Sequence, residues 1–171
     1  MKNTTVFDVH SNQKIFNVIL NYREFMYTNN MVLMIDFDFF NTEKAKVNIR
    51  IKTRNSIEYK LENYTKNHEN GKIPLNKCLN DLFGIRIITE FNANYKEIKE
   101  FIKRQYPKLK VIDSSKGQYK AIHIYFKEDN YQFQWELQIW KKEDEEKNIK
   151  SHEIYKQDYA RWEKEMKGGK K

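Results

Sequence analysis

The sequence predicts an α+β fold, a single domain in which one mixed β-sheet is flanked by helices. Two kinds of periodicity indicate this architecture. Several short segments alternate between apolar and polar residues, as half-buried strands do, and the segments between them carry apolar residues at helical spacing. With 171 residues, of which 39% are hydrophobic, the chain can form one proper core but not two ordinary ones.

The first predicted elements are a helix and two strands joined by a turn. Residues 13–29 carry apolar side chains at helical spacing, and residues 31–40 (MVLMIDFDFF) alternate well enough to be a strand. We assign no role to Asp36 and Asp38 on that strand. Residues 46–54 (KVNIRIKTR) form the second strand. One face of it carries Val47, Ile49 and Ile51, and the other carries Asn48, Arg50, Lys52 and Arg54.

A second helix is predicted at residues 56–66. Its N-cap is Asn55, because Glu58 stands three residues later, at the spacing of a capping box. Residues 67–74 (NHENGKIP) follow as a loop. The later elements are a short buried strand, a helix that ends before Pro107, another strand and a charged C-terminal helix. They span residues 83–89, 95–106, 109–113 and 141–171.

Residues 119–140 form a predicted β-hairpin with one apolar face and one polar face. A four-residue turn at 127–130 would make the two apolar faces coincide. The opposite pairs would be Phe126–Tyr131, Ile124–Phe133, His123–Gln134, Ala121–Glu136 and Tyr119–Gln138. The polar face would then gather Tyr119, His123, Glu136 and Gln138. The hairpin alone leaves open whether this face is solvated sheet or a binding surface.

Composition and charge narrow the class of protein. The net charge of +8 favours an anionic partner such as nucleotide phosphates or RNA, although a Lys- and Asn-rich composition can also make a surface basic without any ligand. The single cysteine, Cys78, excludes an internal disulfide framework and a multi-cysteine metal site. We find no signal peptide and no segment of membrane-spanning length, so we expect a cytoplasmic protein without a membrane partner.

A cluster of cations precedes the second predicted helix. Arg50, Lys52 and Arg54 share one strand face, Ser56 lies in the first helical turn, and Lys60 lies one turn further along. Because the N-terminus of a helix attracts phosphate through its free amides and its dipole, this cluster is a candidate polyphosphate site. A basic edge strand that is protected against aggregation would have the same sequence and needs no ligand.

The segment DLFGIRI adds a carboxylate and a further cation. Arg86 interrupts an apolar strand, and a buried charge is costly unless it is paired or opens into a site. Gly84 allows close approach of the backbone. A carboxylate beside a polyphosphate site commonly holds Mg²⁺, so we expect Mg²⁺ as the cofactor and Asp81 and Glu136 as its ligands. An ion pair between Asp81 and Arg86 is the alternative.

These residues resemble, in sequence order, the motifs of the RelA/SpoT synthetase domain. The resemblance covers residues 47–156, with residues 1–46 adding a helix and the first strand of the same domain and residues 157–171 a charged helix or tail. The matching motifs are Arg50-x-Lys52-x-x-x-Ser56-x-x-x-Lys60, Asp81-x-x-Gly84-x-Arg86, Tyr119-x-x-x-His123, Glu136-x-Gln138 and His152-x-x-Tyr155-Lys156.

The resemblance implies a nucleotidyltransferase-like fold and the transfer of pyrophosphate from ATP to a ribose 3′-hydroxyl group. On the donor side, it implies that Arg50 contacts the adenine, that Ser56 adds a hydroxyl contact and that Asp81 ligates Mg²⁺. The residues implied to hold the ATP phosphates are Lys52, Arg54, Lys60 and Arg86. On the acceptor side, Tyr119 would stack on the base, and Glu136 would be the base or second metal contact that activates the hydroxyl. Gln138 and His123 would position the acceptor.

The chain departs from the family pattern at two places near the expected acceptor. Gly117 and Gln118 precede Tyr119, where the family usually has Asn-Gly directly before the tyrosine. Trp140 and Lys141 follow the Glu-x-Gln-Ile motif, where the family usually has Arg-Thr. The identity of the acceptor is therefore the least determined part of the resemblance.

Four hypotheses about the activity stay open. The first is a synthetase of the alarmone (p)ppGpp, with ATP as donor and GDP or GTP as acceptor. The second is a toxic relative that pyrophosphorylates the 3′-CCA end of tRNA and inhibits translation, for which an antitoxin protein would be a partner. The third is an adenosine nucleotide as acceptor. The fourth is a non-catalytic RNA-binding module, which would leave Asp81 and Glu136 without a role because carboxylates repel phosphate.

Overall fold

The computed structural model describes residues 3–37, 41–127, 129 and 132–168. Within these residues, a mixed sheet of five strands forms the centre. The strands are β1 (Ala45–Ile51), β2 (Phe83–Thr89), β3 (Lys110–Asp113), β4 (Ile122–Phe126) and β5 (Trp135–Lys141). Their order across the sheet is β1-β2-β5-β4-β3, with β2 and β5 parallel and the other neighbours antiparallel. The predicted class, an α+β domain with one mixed sheet, is confirmed.

Helices pack on the sheet and on one another. They are α1 (Val6–Ser11), α2 (Gln13–Phe37), α3 (Arg54–Asn67), α4 (Leu75–Cys78), α5 (Tyr95–Gln105) and α6 (Glu145–Gly168). The first four bury a common core that includes Ile19, Ile57 and Leu75. Helix α5 buries Tyr95 and Ile102 against the apolar side of the sheet. No helix in the described part of the chain has the length and apolar character that crossing a bilayer requires.

The predicted strand at residues 31–40 is wrong over its described residues. Helix α2 continues to Phe37, so Asp36 lies in a helix, and residues 38–40, with Asp38, lie outside the described residues. The run MVLMI is equally compatible with a buried strand and a buried helix segment, and no glycine or proline between residues 13 and 37 would end the helix earlier.

The predicted N-cap of the second helix is also wrong. Thr53 caps α3, because its Oγ1 accepts a hydrogen bond from the Ser56 amide at 3.3 Å, and the helix begins at Arg54. Arg54 therefore leaves the strand that carries Arg50. Its guanidinium forms an exposed ion pair with Glu58 at 2.9 Å instead.

The register of the β4–β5 hairpin differs from the predicted one by four residues. Phe126 lies opposite Trp135 and stacks on it with ring centroids 4.1 Å apart, and Tyr131 lies outside the described residues. Phe133 is not in the strand, because it is buried in the helical core, 5.4 Å from the Tyr22 ring. A shift by an even number of residues keeps every side chain on its predicted face. The opposite pairs are therefore His123–Gln138, Tyr125–Glu136, Ile124–Leu137 and Ile122–Ile139.

This register aligns polar residues across four strands, on a surface that we call the polar face. Residues that lie opposite one another in a sheet point to the same side. One row consists of Asn48, Arg86, Gln138 and His123, and the next row consists of Arg50, Gly84, Glu136 and Tyr125. The polar face thus joins the cationic strand β1 to the hairpin through β2 and β5.

Buried hydrogen bonds hold helix α6, and the residues just before it, against the rest of the fold. Asn148, which is fully buried, accepts from the Lys120 amide at 2.8 Å and donates to the Lys120 carbonyl at 2.9 Å. Tyr95 donates its hydroxyl to buried Asp144 at 3.0 Å and accepts from the Lys141 amide. Because Lys120 adjoins Tyr119, the amide of Asn148 also fixes where the Tyr119 ring lies.

Replacing Asn148 tests this attachment. Asn148→Leu should lower the free energy of unfolding by about 2–4 kcal/mol, because the backbone N–H and C=O of Lys120 lose their buried partner. Urea denaturation followed by circular dichroism measures the change. The control is Asn67→Ala, since Asn67 donates only to Asn63 on the exposed side of α3. A loss of stability as small as that of the control would show that Asn148 does not hold the helix.

Candidate active site

A cavity of about 360 Å³ opens over the polar face, between β1 and the start of α6. The predicted residues Arg50, Asp81, Arg86, Glu136 and Gln138 line it. Lys46 and Glu145, which form an ion pair at 3.7 Å, also line it, as do Trp140 and Ile149. Two arginine cations and three carboxylates thus line one cavity.

Glu136 is a buried carboxylate that accepts hydrogen bonds on both oxygens. The ring Nδ1 of His123 lies 2.9 Å from its Oε1, and Gln138 donates Nε2–H to its Oε2 at 2.7 Å. Burial alone raises a carboxyl pKa, but these hydrogen bonds, with a further one from Tyr125, hold the pKa of Glu136 below its usual value. Glu136 is therefore ionised at neutral pH.

The hydrogen bonds continue from Glu136 to Tyr119. Since the carboxylate can only accept, the His123 Nδ1 is the donor, and in the neutral imidazole Nε2 accepts from the Tyr119 hydroxyl at 2.8 Å. Burial raises the pKa of Tyr119 to about 12 and burial also raises that of Tyr125, so both phenols keep their protons. His123 and Gln138 thus donate to Glu136 directly, and Tyr119 donates to His123.

Arg86 is held by contacts on several sides. Its Nε donates to Gln138 Oε1 at 3.1 Å, its Nη2 lies 3.4 Å from His152 Nε2, and its guanidinium lies over the Trp140 ring. Burial lowers the pKa of Arg86 without bringing it near neutrality, so the group stays charged. Gln138 is thus the link between a cation and the Glu136 carboxylate.

Asp81 is bound by two lysines at the end of the cavity. Lys52 Nζ lies 2.7 Å from Asp81 Oδ2, and Lys60 Nζ lies 2.9 Å from Asp81 Oδ1. Burial opposes the charged carboxylate, but the two ammonium groups outweigh burial and hold the pKa of Asp81 well below its usual range. Burial lowers the pKa of Lys52, whereas at Lys60 the attraction of Asp81 outweighs burial and raises the pKa. We call these three residues the Lys–Asp–Lys cluster.

The two carboxylates fit the expected Mg²⁺ ligands. In the described residues no group of three or more His, Cys, Asp or Glu side chains is arranged to hold a metal ion. Mg²⁺, however, typically takes one or two protein carboxylates and completes its shell with water and substrate phosphates. Asp81 and Glu136 both line the cavity and supply the one or two carboxylates that such a shell requires.

The predicted site residues fall into three groups in the structure. Arg50, Asp81, Arg86, Glu136 and Gln138 line the cavity, and they are joined by hydrogen bonds to a second group, Lys52, Lys60, Tyr119 and His123. Arg54 and Ser56 form the third group, because they interact at the exposed start of α3 with Glu58 and Thr53. The alternative ion pair of Asp81 with Arg86 is replaced by the Lys–Asp–Lys cluster. The side chains of Tyr155 and Lys156 lie outside the described part of the chain.

Trp140 and Tyr125 are site residues that the sequence analysis did not select. Both share the polar side of their strands with selected residues, since Trp140 follows Glu136 and Gln138 at intervals of two and Tyr125 follows His123. Periodicity could therefore have found them. The resemblance gave neither of them a role.

Comparison with known proteins agrees with these motifs. The family described as the region found in RelA/SpoT proteins matches residues 49–160, more than half of the chain. Among solved structures, the small alarmone synthetases 1 and 2 from Bacillus subtilis are 18% and 19% identical, with TM-scores of 0.49 and 0.46. The matches cover 86% and 82% of this chain, and 82% and 79% of those chains. A GTP pyrophosphokinase family protein from Streptococcus pneumoniae is 13% identical, with 84% and 76% covered and a TM-score of 0.44. No curated protein sequence matches.

The Lys–Asp–Lys cluster predicts how stability depends on pH. Asp81→Asn should cost about 3 kcal/mol at pH 7, because it leaves two buried ammonium groups without a counter-charge. The folded pKa of Asp81 lies below the unfolded value of 3.8, so its contribution is complete above about pH 5 and is lost as the pH falls. Urea denaturation between pH 7 and pH 3 measures both effects.

The variant Asp81→Asn should therefore approach the wild type in stability as the pH falls. Asp113→Asn is the control, since Asp113 is exposed and accepts only from the Ser115 amide at a turn. Equal loss at pH 7 and pH 3 would contradict the ion-pair explanation.

Proposed function

The chain belongs to the RelA/SpoT family, a family of (p)ppGpp-type pyrophosphokinases, and we propose that it transfers pyrophosphate from ATP to a ribose 3′-hydroxyl group. The observation that carries the proposal is the pairing of Glu136 and Arg86 through Gln138 on one cavity wall. A carboxylate that can accept a proton lies beside a cation that can bind phosphate. Phosphoryl-type transfer requires mainly this combination of positioning and charge stabilisation.

The donor ATP would bind on the β1 and β2 side of the cavity. Arg50 and Arg86 both line it there, and the guanidinium of Arg86 would bind phosphate in a fixed, bidentate geometry. Lys52 and Lys60 lie directly behind Asp81 and add positive charge to the same end. Arg50 would contact the adenine, as the family resemblance implies. Gly84 lies between Arg50 and Glu136, and because it has no side chain it leaves the polar face open there for the nucleotide.

The reaction breaks one bond of ATP and forms one to the acceptor. The acceptor hydroxyl oxygen attacks the β-phosphorus, the bond from that phosphorus to the α–β bridging oxygen breaks, and AMP leaves. The proton of the hydroxyl passes to Glu136. Because its low pKa makes Glu136 a weak base, its main effect is to orient the hydroxyl group, with proton transfer late in the step.

Mg²⁺ is the cofactor that this chemistry calls for. Asp81 and Glu136 would hold it, and it would neutralise the charge of the ATP phosphates. The protein's own cations, Arg50 and Arg86, bind and orient the donor in the same volume.

GDP or GTP is the proposed acceptor, which would make the product (p)ppGpp. The family membership supports this choice. His123 and Gln138, which hydrogen-bond Glu136, would position the ribose at the carboxylate. Tyr119 would contact the acceptor base beside them.

The 3′-CCA end of tRNA is the second candidate acceptor, and the changed residues around Tyr119 and Trp140 favour it. The ring of Tyr119 is in edge-on contact with the rings of His123, Trp140 and His152, with centroids 5.6–6.0 Å apart. Trp140 is also one of the departures from the family pattern, and the net charge of +8 suits an RNA.

Transfer of label tests the proposed activity. The purified protein with Mg²⁺ and ATP labelled on its terminal phosphates should label GDP or GTP, and Glu136→Gln should lower the rate by about 10²- to 10⁴-fold, because the amide cannot take the proton. The amide also orients the hydroxyl group less well than the carboxylate does, which is the main effect of Glu136. Separate reactions contain GDP, GTP, ATP or deacylated tRNA. Glu145→Gln is the matched control, as it changes a second cavity glutamate outside the hydrogen bonds to Glu136.

The acceptor that is labelled decides between the candidates. Label in tRNA alone would establish the tRNA activity and exclude the alarmone product, and label in ATP alone would indicate an adenosine product. If no acceptor is labelled and Glu136→Gln binds RNA as well as the wild type does, the protein is an RNA-binding module and the proposed function is wrong.

Arg50 and Arg54 should differ in their effect on ATP binding. Arg50→Ala should raise the KM for ATP about 10- to 100-fold, as expected for the loss of a charged hydrogen bond in the cavity. Arg54→Ala should leave it nearly unchanged, because Arg54 forms an exposed pair with Glu58. Steady-state kinetics with ATP as the varied substrate compares them. An equal rise in KM would show that the start of α3 reaches the donor.

A further inference from the structure

The guanidinium of Arg86 rests on the face of Trp140. The carbon Cζ of Arg86 lies 3.6 Å from the centroid of the Trp140 ring, and the ring is fully buried. A cation over an indole face is attracted by the negative face of the π-system, and tryptophan gives the strongest attraction of the aromatic residues. The attraction is greater away from water, and burial is what lowers the pKa of Arg86.

The neighbours of Trp140 prevent its ring from turning. The His152 ring is stacked on it at 5.7 Å and 24°, and the Tyr119 ring meets it edge-on at 5.9 Å and 87°. Both neighbours are themselves fixed, because Tyr119 bonds His123 and His152 touches Arg86. The indole face that supports Arg86 therefore has one orientation.

The described partners of Arg86 leave its charge available. They are the Gln138 amide, the His152 ring and the Trp140 face, and none of them is a carboxylate. Gln138 occupies Nε and His152 is near Nη2, so the guanidinium is oriented while its net charge is not cancelled by a direct ion pair. This arrangement suits a group that has to meet an anion in the cavity.

We propose that Trp140 is a positioning residue that holds Arg86 in the orientation in which it binds the phosphates of ATP. This inference rests on the proposed function, in which Arg86 contacts the donor. An aliphatic side chain at position 140 would fill the space without attracting the cation, and a second cation there would repel Arg86. The indole instead restricts the long arginine side chain before phosphate binds. Less conformational entropy is then lost on binding.

Binding of ATP to single and double variants tests the proposal. Dissociation constants for ATP with Mg²⁺ are measured by titration calorimetry, which needs no acceptor. Trp140→Leu should weaken binding about 5- to 30-fold, the range expected for a desolvated cation–π contact, and Trp140→Phe should weaken it less. In an Arg86→Gln background, Trp140→Leu should change the affinity very little, because the cation it supports is gone.

Trp135→Leu is the matched control. Trp135 lies on the same strand, but its ring stacks on Phe126 and it is absent from the cavity lining. Its replacement should lower stability while leaving the affinity for ATP unchanged. If Trp140→Leu acted only through stability, the two variants would behave alike.

Fluorescence provides a readout that a purely structural role would not move. The chain has three tryptophans, so Trp135→Phe with Trp162→Phe leaves Trp140 as the sole indole fluorophore. Replacing Arg86 by Gln in that background should shift the emission of Trp140, and adding ATP should change it only when Arg86 is present. This test also serves if Trp140→Leu fails to fold.

Four results would overturn the inference, and they are distinguishable. If the wild type binds ATP and Trp140→Leu binds it equally well, the inference is wrong and the proposed function stands. The inference is also wrong, and the proposed function stands, if Trp140→Leu weakens ATP binding equally with and without Arg86. The same conclusion follows if Arg86→Gln does not change the fluorescence emission of Trp140. If the wild type does not bind ATP, the inference and the proposed function are both wrong.

Discussion

The structure of the site depends on one buried carboxylate that accepts hydrogen bonds from two directions. His123 donates to Glu136 from β4, and Gln138 donates to it from β5, the strand that carries Glu136 itself. Gln138 also accepts a hydrogen bond from Arg86. An ionised carboxylate can remain buried only if its oxygens are well bonded, so the folded state depends on these partners. Because the Glu136 oxygens need donors, His123 must carry its proton on Nδ1 and the Gln138 amide must point its nitrogen toward Glu136. The amide oxygen of Gln138 then faces Arg86 and fixes its position.

The sheet register is what makes this arrangement possible. Gly84 and Arg86 on β2 lie beside Glu136 and Gln138 on β5 because these two strands are parallel neighbours. Tyr125 and His123 complete the rows from the antiparallel side. Helix α6 lies beside the cavity because Asn148 binds the backbone of Lys120, and Asp144, just before the helix, binds the hydroxyl of Tyr95. Packing on the apolar side thus determines which polar groups meet on the other.

Sequence periodicity predicted the faces of the strands better than it predicted their pairing. Glu136, Gln138 and His123 were placed together correctly although the hairpin register was wrong, because the error was an even number of residues. The register itself depends on Phe133 entering the helical core, a tertiary contact that no local pattern contains. The Lys–Asp–Lys cluster is likewise tertiary, since Asp81 is far from Lys52 in sequence. Residues 31–37 were wrongly predicted as a strand, because a short apolar run is compatible with either a helix or a strand.

The central claim is that the polar face binds the donor triphosphate beside Glu136. A crystal structure of the protein with Mg²⁺ and α,β-methylene-ATP, whose carbon bridge prevents transfer, tests it most directly. The account predicts the phosphates in the cavity in contact with Arg86, and the adenine in contact with Arg50. The Arg86 guanidinium should still lie over Trp140, with the β-phosphorus open toward Glu136. A nucleotide bound on another surface, or phosphates in the cavity without contact to Arg86, would contradict it.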